Sequence, residues 1–402
     1  MTSFVLLEDG TRFDGIACGA DAHATGEVVF NTAMSGYQES MTDPSYAHQL
    51  IVFTYPHIGN YGVSSDAMES DRIHARAAIM RAATNHEDAP SAEGGWLDWL
   101  VDCGIPAITG VDTRALVRHI RDKGAMRGGV FPASVSESEA LGLVQAEPPM
   151  LGLDLAREVT PAGKQLLAPT AGGEGPRVAL IDTGVKGSIV ANLRSRGVSL
   201  ELHPCTARPE DLLEGDPDAV FLANGPGDPG ALDYIVETVR GLIGRVPVYG
   251  ICLGHQLLCR AVGLDTYKLP FGHRGVNHPV KDLISGRIEI TSQNHGFAVL
   301  GPGGERQLQG EERVRWDTDY GVAELSHINL YDRTVEGLVL SDVAGATVQY
   351  HPEAGPGPHD SLYLFDRFVD GIRAGVPPKS LSSGSSPPPV QGSNGRPRPG
   401  AR

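Results

Sequence analysis

The spacing of apolar residues changes near residue 177 and divides the chain in two. Beyond that point, short apolar runs alternate with stretches of helical period. Residues 177–182, 198–203, 218–223 and 246–250 read as buried strands. Residues 186–196 and a stretch near 231–242 have helical spacing, and Gly197 is placed to end the first of these. Residues 287–291 and 346–350 read as later strands. A helix over 361–372 closes the region, with Leu362, Phe365, Val369 and Ile372 on one face. This alternation predicts an α/β domain with a mostly parallel, helix-flanked sheet and ligands at the carboxyl ends of its strands.

Before residue 150 the pattern predicts a smaller mixed α/β domain. The apolar run Phe4-Val5-Leu6-Leu7 and residues 27–32 and 49–54 read as strands. Residues 112–121 read as an amphipathic helix capped by Asp112, with Leu116, Val117 and Ile120 on one face. The polar loops around 34–46 and 55–62 fit a binding surface or ordinary turns equally well. Residues 151–176 loosen, with Gly and Pro gathered at 168–176, and read as a linker. Residues 374–402 are rich in Pro, Ser and Gly and too poor in apolar residues to fold, so a disordered tail is expected. The expected organisation is 1–150, 151–176, 177–373 and 374–402.

Composition narrows the class. The 402 residues are 41% hydrophobic and 20% charged, as in an ordinary globular protein. A balance of 33 Lys+Arg against 49 Asp+Glu, net −16, argues against nucleic acid as a partner. No run reaches the roughly 18 apolar residues of a membrane span, and the N-terminus has no basic region of a signal peptide. The five cysteines form no C-x-x-C, so neither a disulfide framework nor a zinc ribbon is expected. A cytoplasmic location follows from these traits.

One of those cysteines sits where chemistry is done. Gly250-Ile251-Cys252-Leu253-Gly254 follows an apolar strand and opens a helix, which is the cysteine form of a nucleophile elbow. The helix start turns N–H groups toward the sulfur and favours a negative charge there. A cysteine nucleophile needs a base, and the base needs an orienter. His351-Pro352-Glu353 follows the 346–350 strand. Parallel pairing would bring both strand ends to one edge of the sheet. The loop Asn224-Gly225-Pro226-Gly227-Asp228-Pro229-Gly230 fits an oxyanion hole together with the N–H of Leu253.

That loop also matches G-x-G-x-x-G, so a dehydrogenase is the rival. However, it follows the third strand of the domain, and the next strand ends on Tyr249-Gly250 with no acidic residue to hold a ribose. Asp182-Thr183-Gly184 resembles half of an aspartic-protease site but has no second copy. His273, His278, His295 and Cys252 match no common metal-ligand spacing, and no metal is expected. The sequence carries no G-x-x-x-x-G-K-[ST] phosphate loop.

On the elbow, the 224–229 loop and His351-Pro352-Glu353, the second half resembles the class I, triad-type glutamine amidotransferases. The first half carries Phe30-Asn31-Thr32, Gly36-Tyr37-Gln38-Glu39, Thr42-Asp43-Pro44-Ser45-Tyr46 and Tyr55-Pro56-His57-Ile58-Gly59-Asn60. With Gly110-Val111-Asp112-Thr113-Arg114 and Phe271-Gly272-His273-Arg274-Gly275, these resemble the small subunits of carbamoyl-phosphate synthetases. The similarity runs from about residue 3 to about 373, fits only loosely over 84–97, and does not reach the tail.

The resemblance implies glutamine hydrolysis to glutamate and ammonia through a γ-glutamyl thioester, with Cys252, His351 and Glu353 catalytic. It implies that Ser45, Gly225, Gly227, Leu253, Gln256, Asn294, Gly296 and Phe297 bind glutamine. It also implies no cofactor in this chain, and a heterodimer or higher oligomer with a large subunit that uses ATP and Mg2+, contacted by the first domain. A non-catalytic scaffold on the same fold is the alternative of another class. It would be expected to lack one of the three catalytic side chains, and all three are present.

Overall fold

The computed structural model describes residues 2–85, 89–170, 175–310 and 313–374. Apart from Ala374, the expected tail lies outside them, as do residues 171–174 of the expected linker and 86–88 of the loosely fitting stretch.

The first domain is a closed seven-stranded barrel. Its order is Thr2–Leu7, Arg12–Ala17, Ala107–Thr109, Ala77–Ile79, Gln49–Phe53, Ala24–Asn31 and Met126–Pro132, which pairs back onto the first strand. Ala24–Asn31 and Gln49–Phe53 carry consecutive apolar residues because both of their faces are buried. Val28, Phe30, Leu50 and Val52 meet Leu116 and Ile120 of the helix Thr113–Lys123. Val29, Ile51 and Phe53 meet Tyr37, Met41, Trp96 and Leu100 on the other face. The Asp112 carboxylate accepts from Ala115 N at 3.0 Å and caps that helix, and Gly124, at φ 99°, ends it.

The second domain is built on an 11-stranded sheet. Its parallel centre runs Gly345–Val348, Val248–Ile251, Ala219–Leu222, Arg177–Asp182 and Ser199–Pro204. Alternate residues point to opposite sides. Ala179, Ile181, Val220, Leu222 and Val248 pack under the helices Asp233–Leu242 and Leu253–Ala261. Val178, Leu180, Phe221, Tyr249 and Ile251 pack against Gly187–Ser195 and Tyr363–Ala374. The result is a three-layer α/β domain.

Antiparallel strands extend the centre on both sides. Gln165–Leu167 adds to Ser199–Pro204, so the stretch read as a linker contributes a strand. It also holds the short helix Ala156–Val159 and buries Leu155 and Ala156. On the other side, Val335–Leu340, Gly321–Asn329, Thr266–Asp282 and Ile288–Val299 follow in order, and Arg315–Thr318 pairs with Gly321–Asn329. The expected strand 287–291 is only the start of Ile288–Val299. The long hairpin of Thr266–Asp282 and Ile288–Val299 reaches the barrel. Phe271 stacks on Phe30 at 5.9 Å, Lys268 pairs with Glu27, and Thr32 Oγ1 donates to Arg274 O at 3.1 Å. Among the described residues, no helix is long and apolar enough to cross a membrane.

Phe221 is fully buried and meets Phe368 edge-on at 6.0 Å. Phe221→Ala is expected to cost about 3–5 kcal/mol of unfolding free energy, measured by urea denaturation.

Candidate active site

The elbow is set by close approach. Cys252 lies between the strand Val248–Ile251 and the helix Leu253–Ala261, at φ 57° and ψ −105°. That backbone is unfavourable for a residue with a Cβ and is held by its surroundings. Its N–H donates to Val348 O at 2.9 Å, and its carbonyl accepts from Gln256 N at 3.2 Å. A Cβ on Gly254 would stand 2.3 Å from Leu222 O, so only glycine lets the helix start this close to the neighbouring strand. The Cys252 thiol is buried and faces Asn294 O at 3.8 Å.

Parallel pairing brings His351 to the elbow's edge of the sheet. Ile251 sits opposite Val348, so Cys252 and His351 leave the same end of adjacent strands. His351 N donates to Ser292 O at 2.9 Å. His351 Nδ1 bonds Glu353 Oε1 at 2.6 Å, and its Nε2 is buried with no hydrogen-bond partner among the described residues. Burial opposes a charged ring, yet the negative charge of Glu353 and the neighbouring Cys252 push the His351 pKa up to about 10. Burial also opposes the Glu353 anion, but Lys186 and His351 hold its pKa down at about 2.

Lys186, not foreseen in this role, is the third charge. Its Nζ lies 3.0 Å from Glu353 Oε1 and donates to Ala354 O at 2.7 Å and Gly355 O at 3.0 Å. Burial works against its charge, and Glu353, Glu69 and Asp43 outweigh it, so the lysine stays above its usual range.

A narrow pocket opens beside the sulfur. It is lined by Cys252 with Ser45, Gly225, Gly227, Gln256, Asn294, Gly296 and Phe297, seven of the eight positions expected to hold glutamine. Leu253 is not in the lining; it is buried at the head of the elbow helix. Gln256 Nε2 donates to Phe297 O at 2.9 Å and Gln349 Oε1 at 3.0 Å, which orients its amide. Asn224 Nδ2 donates to Ser45 Oγ at 2.9 Å, and Asn294 Nδ2 to Asp43 Oδ2 at 2.9 Å. These bonds join the barrel to the second domain. The 224–230 loop is pinned from the expected linker, where Gly152 N donates to Asp228 Oδ2 at 2.8 Å.

Comparison with known proteins matches this chain to a family. The family model for the carbamoyl-phosphate synthase small chain, CPSase domain, covers residues 5–130, and that for class-I glutamine amidotransferase covers 179–370. A carbamoyl phosphate synthase small chain of Rhodopirellula baltica is 44% identical over 388 residues, spanning 92% of this chain and 95% of that one. One of Streptomyces coelicolor is 44% identical over 375 residues, spanning 91% and 94%. The chain belongs to the carbamoyl phosphate synthase small chain family. Among solved structures, a glutamine amidotransferase of Thermotoga maritima aligns over 52% of this chain and 90% of its own, at 16% identity and a TM-score of 0.32. As a small chain, this protein is the glutamine amidotransferase subunit of a carbamoyl phosphate synthase.

The small chain's pocket also has residues that pattern reading missed. Glu27, Gln49, Met150, Arg274 and His295 line it. Glu27 and Arg274 carry opposite charges, come from different domains and are almost fully buried. Arg274 stood within a quoted motif, but nothing in its spacing gave it a role. The decoys have other employment. Asp182 Oδ1 accepts from Gly184 N and Val185 N, both at 2.8 Å, and so shapes a turn. His273 Nε2 pairs with Asp332 at 2.8 Å, and His295 bonds Phe297 O and Gln293 Oε1. His273, His295 and Glu336 approach one another to within 4.8 Å, without Cys252.

The ionisations of Glu353 and His351 make stability depend on pH in opposite senses. Glu353, lowered from 4.5 to about 2, contributes stability that is present above pH 4.5 and lost as pH falls toward 2. His351, raised from 6.5 to about 10, contributes stability that is present below pH 6.5 and lost as pH rises toward 10. Glu353→Gln is expected to flatten both limbs, read from urea midpoints across this range.

Proposed function

We propose that this chain hydrolyses glutamine at Cys252 and delivers ammonia to an ATP- and Mg2+-using large subunit for carbamoyl phosphate synthesis, in arginine and pyrimidine biosynthesis. The reading rests on one observation above all: a strained elbow cysteine beside a buried His351–Glu353 pair, at the floor of the pocket.

The chemistry follows from those groups. The Cys252 thiol passes its proton to His351 Nε2 as Sγ attacks the carboxamide carbon of glutamine. Charge develops on the amide oxygen, where the Leu253 N–H and the Gly225–Gly227 backbone would stabilise it. His351 gives its proton to the departing nitrogen, and ammonia leaves a γ-glutamyl thioester. Water then attacks the thioester while His351 takes the proton, which releases glutamate and regenerates the thiol. Glu353 holds the ring in the required orientation and stabilises its cation.

The pocket suits an amino-acid head group. Arg274 is complementary to the α-carboxylate and Glu27 to the α-ammonium. Ser45, Gln256 and Asn294 add oriented polar groups, and Phe297 adds an apolar wall. A second, small cavity is lined by His351 together with Asn31, Asp43, Tyr46, Lys186 and Asn294. It abuts the barrel, the domain proposed to contact the large subunit. The acidic balance and the lack of a phosphate-loop motif fit a cytoplasmic subunit that leaves ATP chemistry to its partner.

Cys252→Ser should abolish glutamine-dependent carbamoyl phosphate synthesis by the complex while ammonia-dependent synthesis survives. Retained glutamine use would sink the assignment. Arg274→Met should raise the glutamine KM by about tenfold or more with a smaller change in kcat, because a desolvated charge partner is lost. Steady-state kinetics at saturating ATP measures both.

A further inference from the structure

The route from the barrel to the catalytic centre runs through one carboxylate. Glu69 belongs to the barrel domain, between the turn Ser65–Ala67 and the strand Ala77–Ile79. It is buried, at 4% exposure. Its Oε2 accepts from Ser188 N at 3.0 Å and Ser188 Oγ at 2.8 Å, and its backbone carbonyl accepts from Gly187 N at 2.7 Å. Glu69 therefore satisfies the first turn of a helix in the other domain, the helix whose N-cap is Lys186. Its Oε1 lies 3.6 Å from Lys186 Nζ. The same ammonium holds Glu353. The loop after the catalytic His-x-Glu touches Glu69 as well: a Cβ on Gly355 would stand 2.1 Å from Glu69 Oε1.

We propose that Glu69 is a positioning residue for glutamine hydrolysis, acting through Lys186 on Glu353 and His351, and that it couples the barrel's placement to the catalytic centre. This rests on the reading of Cys252 and His351 given above. A buried lysine shared by two carboxylates divides its pull between them. Removing the Glu69 charge leaves more of that pull on Glu353 and a more positive field at His351. The other charged groups facing the cluster are Glu39, toward Glu69 and within reach of Lys186, and Asp43, toward Lys186. Glu353 and Cys252 face His351. Glu69 lies on the barrel and Lys186 on the sheet domain, so a small shift of one against the other changes the Glu69–Lys186 separation directly. A partner seated on the barrel thereby gains a handle on the base.

The experiment uses the full chain in complex with its large subunit. Glu69→Gln, nearly isosteric and uncharged, should lower kcat for glutamine hydrolysis by about tenfold. It should leave the glutamine KM within about threefold. The kcat ionisation belonging to His351 should move to lower pH by about half a unit or more, because an anion is lost near a cation. Glu69→Asp keeps the charge and should restore the wild-type pH profile with most of the rate. Ammonia-dependent synthesis should be unchanged in both. A Glu69→Gln enzyme with unaltered pH profile and kcat would overturn the proposal. So would an Asp variant as impaired as the Gln variant, with ammonia-dependent synthesis falling in step, since that marks a purely structural role. If the wild-type complex itself hydrolyses no glutamine in a Cys252-dependent way, the functional reading fails, independently of Glu69.

Discussion

The buried ammonium of Lys186 is the interaction on which the site depends. A lysine deprived of water is costly unless anions and carbonyls replace its hydration. Here two carboxylates and two backbone carbonyls do so, and each comes from a segment that must be placed. Glu353 and the Ala354 and Gly355 carbonyls fix the catalytic loop. Glu69 fixes the barrel. Lys186 itself begins the helix Gly187–Ser195, anchored on the strand Arg177–Asp182 at the sheet centre. One cation thus ties the Glu353–Gly355 loop and the barrel to the head of the helix Gly187–Ser195. Without it Glu353 would be a buried anion with only His351 to answer it, and the imidazolium would lose its support.

The strain at Cys252 belongs to the same arrangement. A positive φ at a non-glycine residue persists only where surrounding contacts over-determine it. The contacts are the bond to Val348 O and the close seat of Gly254 against Leu222. Both partners lie on the strands flanking the elbow strand in the parallel ladder. The sheet that aims the sulfur also carries His351 at the end of one neighbour and the Gly225–Gly227 loop at the end of the other. Register supplies the catalytic geometry, and side-chain charge tunes it.

How much of this could be read from the sequence follows from the range of each interaction. The elbow is local: five residues with two glycines state the turn. The parallel centre is nearly as legible, because strands buried on both faces must be apolar runs and helices between them must be amphipathic. The pairing of Cys252 with His351 then follows from βαβ topology. The hairpin Thr266–Asp282 with Ile288–Val299 was far less legible. Its polar residues Arg274 and His295 are buried and Lys268 is half-buried against Glu27 of the barrel, so its pattern does not read as core. The 151–176 stretch looked loose because its few anchors, Leu155, Ala156 and the Gly152 N–H, meet partners dozens of residues away. Lys186 and Glu69 are separated by more than a hundred positions, and a lone Lys or Glu carries no signal of being buried.

That distribution explains why the pocket straddles the two domains. In the proposed mechanism the nucleophile, base and oxyanion loop all lie along one sheet edge of the second domain. The barrel adds further groups to the pocket: Ser45 and Glu27 line it, and Asp43 orients Asn294. In that proposed mechanism the chemistry lies in one domain, while the pocket lining and the partners of Lys186 come from both. A catalytic centre whose electrostatics are completed across a domain boundary is sensitive to that boundary. An isolated amidotransferase sheet would keep the triad and lose the control, which is a physical reason for the barrel to be fused to it in a single chain.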